Sequence, residues 1–147
     1  MSNKDLSQKL FEEPYRFEFF QAVRLLEKIY PQRGAVGRET LPHAEVVRFR
    51  TRMTLEFPAS EIHEILKSVE ETTGQETTEV FVNFMGMGGP LGVLPSHYTE
   101  LMVERARYRD TAMWAFLDIY THRAVSLFFR AWEKYRFPVQ YERGNDA

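Results

Sequence analysis

Residues 79–100 read EVFVNFMGMGGPLGVLPSHYTE, and the order of a β-rich run, an apolar glycine loop and a helix start decides the fold class. Val80, Val82 and Phe84 alternate with Phe81 and Asn83, the pattern of a strand that buries one face fully and the other partly. Gly86, Gly88, Gly89, Pro90, Gly92 and Pro95 then bar any regular element, while Met85, Met87, Leu91, Val93 and Leu94 keep the loop apolar. Loops are usually polar, so this one is expected to be covered. Ser96 is placed to cap the next helix, its hydroxyl accepting from an orphan amide of the first turn.

Upstream, Val46–Thr51 alternates, as does Met53–Phe57, giving two short strands or one bent strand that Pro58 stops. In Ser60–Glu71 the residues Ile62, Ile65, Leu66 and Val69 follow helical spacing, yet Thr72, Thr73, Gly74 and Gln75 sit like a hairpin turn. One helical turn followed by a strand is the expectation there. Pairing of segments near 47, 55, 67 and 81 gives a small, mostly antiparallel sheet. PQRGAVGRETLP at 31–42 reads as a connection. Before it, Pro14 suits the opening turn of a helix in which Tyr15, Phe19, Ala22, Val23, Leu26 and Tyr30 form a core stripe. Phe17 and Phe20 fall away from that stripe, beside Gln21 and Arg24, as a second, aromatic face.

Downstream, 96–108 reads as a helix with Tyr98, Leu101, Met102 and Ala106 on one side. It ends in RARYR, whose Arg105, Arg107 and Arg109 complement a helix dipole. Asp110 or Thr111 caps the longest helix, which runs to about Tyr135 before Phe137 and Pro138 break it. On a wheel, Met113, Trp114, Leu117, Tyr120, Ala124, Val125, Phe128, Trp132 and Tyr135 make a continuous stripe, the mark of a central core helix. The expected class is α+β: a small, mostly antiparallel sheet packed with an N-terminal helix and two C-terminal helices. The expected division is a flexible segment at 1–13, a single domain at 14–139 and a polar tail at 140–147.

A chain of 147 residues suits one domain that buries about two thirds of its unfolded surface. Lys plus Arg number 19 and Asp plus Glu 21, a net charge of -2, so no global field recruits nucleic acid or an acidic membrane. Cysteine is absent, which removes disulfides, thiolate nucleophiles and thiolate metal sites together and fits the cytoplasm. No apolar run approaches the length of a membrane span, and MSNKDLSQKL lacks a signal-peptide core. Aromatics at 14%, with 12 Phe, exceed what a core of this size requires, so some should face partners.

No constellation favours an enzyme. Asp118, His122 and Ser126 lie at i, i+4 and i+8 on the polar face of one straight helix, whereas a hydrolase needs its serine on a sharp turn beside oxyanion donors. They read as a helix-stabilising Asp and His pair on a face that Ile119 and Phe129 border, so the face is expected to be partly covered. His43, His63, His97 and His122 fall on four elements without metal-ligand spacing. GMGGPLG departs from GxGxxG because Leu91 stands at the third glycine. The expectation is no catalytic residue, no cofactor and no metal. Two alternatives stay open: a hydrolase built on Asp118, His122 and Ser126, and a nucleic-acid binder using Arg105, Arg107, Tyr108 and Arg109.

The chain resembles the TssG family (also ImpH or VasB) of the type VI secretion baseplate. The resemblance lies in EPYRFEFFQAVRLLE at 13–27, VRFR at 47–50, LEFPASEI at 55–62, VNFMGMGGPLGVLPSHYTE at 82–100 and FLDIYTHRAVSLFFRAWEKYR at 116–136. It implies a cytoplasmic, non-enzymatic wedge component that joins TssF-like subunits to TssK-like trimers, with a TssE-like subunit beside it. It implies no nucleic acid, no membrane insertion and no small-molecule substrate. Family members are much longer, so the resemblance implies an amino-terminal portion or a truncated product, with further TssK-binding surface beyond it. Within this frame Phe17, Phe20, Arg24, Met85, Met87 and Leu91 are the expected partner contacts, packing from the aromatic helix face and the glycine loop.

Overall fold

Strands β1 (Arg48–Thr51), β2 (Ile62–Val69) and β3 (Glu76–Val82) form one sheet in the order β1-β3-β2. The computed structural model describes residues 3–38, 41, 43–69 and 74–144. Its helices are α1 (Asn3–Glu12), α2 (Phe19–Ile29), α3 (Ser96–Arg107), α4 (Ala112–Lys134) and α5 (Phe137–Glu142), with a 3-10 turn at Pro14–Arg16. The class is α+β, as the sequence implies. The sheet is mixed: β3 pairs antiparallel with β2 and parallel with β1.

Val80 and Val82 of β3, Phe49 of β1 and Ile62 and Ile65 of β2 face inward, against Phe19, Ala22, Val23 and Leu26 of α2 and Val125 and Phe129 of α4. Phe19 is the hub, with ring centroids 4.8 Å from Phe84, 5.2 Å from Phe20 and 5.5 Å from Phe49. Edge-on aromatic packing of this kind adds about 0.5–1.5 kcal/mol per pair beyond the area buried. The expected α2 stripe is the buried one at Phe19, Ala22, Val23 and Leu26, but Tyr15 precedes the helix and is exposed. The helix starts later than Pro14 because Glu61, on the loop before β2, accepts the Phe19 N–H at 2.8 Å and so caps it from 42 residues away.

Further expectations differ from the structure. The span 60–71 holds no helical turn, because β2 begins at Ile62. Its helical spacing has another cause: the register shifts between Ile62 and Glu64, so Ile62 opposite Val82 and Ile65 opposite Val80 both point inward although three residues apart. A bulge inserts the extra residue that converts period two into period three. Residues 53–57 form no strand, since alternation becomes a strand only where a neighbour takes its hydrogen bonds; Leu55 and Phe57 are exposed instead. The amino-terminal segment, read as loose, is helical from Asn3, and Leu10 is fully buried in the core. At the carboxyl end α5 covers Phe137–Glu142, with Val139 buried and Arg143 paired to Glu27 and Glu133. The hairpin turn at Thr72 and Thr73 lies outside the described residues, as do 1–2 of the amino-terminal segment and 145–147 of the tail.

Candidate functional site

β1 is an edge strand, and its outward amides at Phe49 and Thr51 need acceptors that no strand supplies. α4 supplies them. Helix positions four apart rise about 6 Å and strand positions two apart about 6.6 Å, so side chains at i and i+4 meet alternate backbone groups of an antiparallel strand. Asp118 Oδ1 accepts the Thr51 N–H at 3.2 Å and its hydroxyl at 3.0 Å, while His122 Nδ1 accepts the Phe49 N–H at 3.1 Å. One turn earlier, Trp114 Nε1 donates to the Thr51 carbonyl at 3.0 Å. Because Nδ1 is an acceptor, the neutral ring carries its proton on Nε2, 2.9 Å from Oε2 of buried Glu45. Ser126 donates its hydroxyl to the His122 carbonyl at 2.6 Å.

This line is buried, which inverts the expected orientation of α4. Asp118, Thr121, His122, Val125, Ser126, Phe129 and Glu133 face the domain. Of the apolar stripe read as core, only Val125 is buried, whereas Tyr120 is 52% and Tyr135 81% exposed. The reason is the edge strand, whose unpaired amides demand polar acceptors from the covering helix. Burial pushes the Asp118 carboxyl above its ordinary value, against opposing hydrogen bonds from Arg50 and from the Thr51 amide and hydroxyl. Arg50 stands 3.0 Å from Asp118 and 3.3 Å from Glu79, with its guanidinium over the Trp114 ring. Glu45, Arg50 and Thr51 were not read from sequence as part of a site, and Trp114 was read as a residue of the apolar stripe. The signal was present in the four-residue recurrence of Trp114, Asp118, His122 and Ser126, facing a short alternating strand.

The same geometry bears on the hydrolase alternative. Ser126 bonds its own helix backbone and neither ring nitrogen, both of which are engaged elsewhere, so the nucleophile and base contact that nucleophilic catalysis requires is not formed. Arg105, Arg107, Tyr108 and Arg109 are exposed around the end of α3, with Arg109 in the left-handed region at φ 60°. Among the described residues no group of three or more His, Asp or Glu is placed to hold a metal, and no helix is long and apolar enough to cross a membrane.

The glycine loop folds back on itself. Val93 N–H donates to Gly86 O at 3.2 Å, Leu94 N–H to Met87 O at 3.0 Å, and Gly92 N–H to Gly89 O at 3.2 Å. Gly89 adopts φ 91°, and a Cβ on Gly92 would lie 2.5 Å from the Gly88 carbonyl, so both positions require glycine. Gly86 lies against Thr51 and Gly88 against Met102, while Pro90 and Pro95 are exposed. Thr99, fully buried, accepts the Gly89 N–H at 3.0 Å and thereby ties α3 to the loop. Ser96 is the first helical residue and makes no cap; Pro95 precedes it.

The six expected contacts are dispersed. Phe17, Phe20 and Met85 are half-buried and pack against the core, Phe20 stacking on Trp132 at 4.4 Å. Met87 is half-buried, held by the Thr121 hydroxyl, which accepts its N–H at 3.3 Å. Leu91 is exposed, beside Thr54 at the mouth of a small crevice. Arg24 lines a cleft of about 670 Å³ between α2 and α5, where it and Lys28 pair with Glu142 at 2.7 and 3.1 Å. Those two cations hold the Glu142 carboxyl below its ordinary value.

Comparison with curated proteins and with solved structures finds no match. The family model described as Type VI secretion, TssG matches residues 13–147, which takes in the aromatic α2, the glycine loop and the whole of α4. With nearly the entire described fold inside that match, the chain belongs to the TssG family, a structural component of the type VI secretion baseplate.

Proposed function

We propose that the chain is a non-enzymatic scaffold of the baseplate wedge, joining TssF-like to TssK-like subunits with a TssE-like subunit alongside, on the cytoplasmic side of the inner membrane. The observation that carries this reading is the apolar surface. Phe57 is 85%, Val93 77% and Leu91 49% exposed. The segments bearing them meet where Gly89 approaches the backbone of Arg52 and Thr54. Large apolar side chains clustered on a surface mark an interface. Leu91 is the contact most open to a partner, Phe17, Phe20, Met85 and Met87 offer their outer edges, and Arg24 offers a charge at the rim. The buried polar line of α4 is occupied in holding the β1 edge, which leaves surface rather than chemistry as the working part of the molecule.

Co-expression with the cognate TssF-like subunit, followed by affinity capture and size-exclusion chromatography, tests this. A stable complex that Phe57→Asp with Leu91→Asp disrupts is the expected result. A folded chain that elutes alone in the presence of TssF-like, TssK-like and TssE-like subunits overturns it.

A further inference from the structure

We propose that the outward face of α4 docks an acidic amphipathic helix of a partner subunit. This rests on the assembly reading above and assigns it a surface outside the six contact residues. Phe116, Ile119, Tyr120, Arg123 and Leu127 recur at three- and four-residue spacing, and Lys134 follows two turns later, seven residues on, so they share one side of the helix, opposite the buried line. Phe116 is 56%, Ile119 56%, Tyr120 52% and Leu127 44% exposed. Such a row on one helix is the anchor pattern by which helices recognise helices. α4 has 23 residues, and its inner face is bonded along β1, so it offers a preformed ridge rather than a segment that must order on binding.

The charge on that ridge has one sign. Both acidic residues of α4, Asp118 and Glu133, are buried on the inner side, where they pair with Arg50 and with Arg143. Arg123 and Lys134, on the outer side, have no carboxylate within ion-pair distance among the described residues. An occupant that complements this face therefore carries apolar side chains flanked by Asp or Glu. A second copy of the chain is the poorer fit, because a two-fold contact sets the same cations against each other. An anionic bilayer also fits less well. Arg123 interrupts the apolar row instead of flanking it, and with exposed Arg130 donating to the Gly37 carbonyl, Arg123 and Lys134 alone give weak attraction to a charged surface.

Because the chain has no cysteine, Leu127→Cys creates a unique thiol for a photo-crosslinker, and Val69→Cys, exposed at the end of β2, serves as the control. The labelled whole chain is assembled with purified TssF-like, TssK-like and TssE-like subunits, irradiated and mapped by peptide mass spectrometry. The expected product joins position 127, and not 69, to one partner helix with carboxylates three or four residues apart. Arg123→Glu combined with Lys134→Glu, with an unchanged circular dichroism melt, is expected to lower the yield about tenfold. Crosslinking to a second copy or to a non-acidic segment overturns the proposal, as does flotation of the chain with phosphatidylglycerol vesicles together with loss of the protein crosslink. A complex that assembles with position 127 unreacted overturns this proposal alone; absence of any complex overturns the assembly reading with it.

Discussion

The inner face of α4 is polar and buried, with Asp118, Thr121, His122, Ser126 and Glu133, while its outer face carries Phe116, Ile119, Tyr120 and Leu127 in the open. A free-standing globular domain does the reverse. The inner face is explained by what it covers: the outward amides of Phe49 and Thr51 have no strand neighbour, and leaving a buried amide unpaired costs about 1–3 kcal/mol each. A helix of apolar side chains laid on that edge would leave both unpaired. The outer face has no such explanation within the domain, and its apolar row is intelligible as part of an assembly.

The sharpest way to break this comparison is the same substitution on both faces. Phe129→Ala should lower unfolding stability by about 4 kcal/mol, because Phe129 is fully buried in the core, whereas Phe116→Ala should change it by less than about 0.5 kcal/mol. Urea midpoints of the two variants measure the contrast, and equal losses would mean that the outer face packs within the domain. Next in size, His122→Ala strands the Phe49 amide and the Glu45 carboxylate and should cost about 3 kcal/mol. Hydrogen exchange at Phe49 should rise in that variant. Its absence would show that the edge amide has another acceptor.

A smaller effect tests the balance inside the polar line. The folded-state value for Asp118 is raised by burial, so in the window from its ordinary value of 3.8 up to the raised one the folded state binds the extra proton. Stability from this group is therefore complete below 3.8 and declines as pH rises through the window. Wild type should lose ground to Asp118→Asn as pH increases across it, read from paired denaturation curves; a gap that moves the other way would mean that Arg50 outweighs burial. Smallest is Glu142, exposed and lowered by Arg24 and Lys28. Its contribution is present above its ordinary value of 4.5 and fades as pH falls through the lowered folded value. Glu142→Gln should slightly flatten the acid limb of the stability profile, and a steeper limb would remove the pairing with α5.

Much of this was legible before any coordinates. The α2 stripe at Phe19, Ala22, Val23 and Leu26 holds because an amphipathic helix packed on one side displays its core face as a period. The β3 run holds because β-branched and aromatic residues suit a buried strand, and the loop from Gly86 to Pro95 holds because proline fixes φ and bars regular pairing while glycine admits conformations, such as φ 91° at Gly89, that other residues avoid. β2 was misread because its bulge disguises a strand as helical spacing, and α1 because among its described side chains Leu10 alone is buried, which sets no period. Of the six contact residues, Phe17, Phe20 and Met85 are apolar enough for either a surface contact or a core, and the structure packs all three half-buried against the core, Phe20 through the rings of Phe19, Phe128 and Trp132.

Taken alone, the sequence determined the α+β class, the long fourth helix and its break before Phe137, the apolar glycine loop, and the family to which these blocks belong. The tertiary structure alone decided which face of α4 is inside. Helical periodicity states only that two faces differ; which one is buried depends on the surface the helix meets. Here that surface is a strand edge whose hydrogen-bonding groups, 67 and 73 residues away in the chain, accept only polar partners.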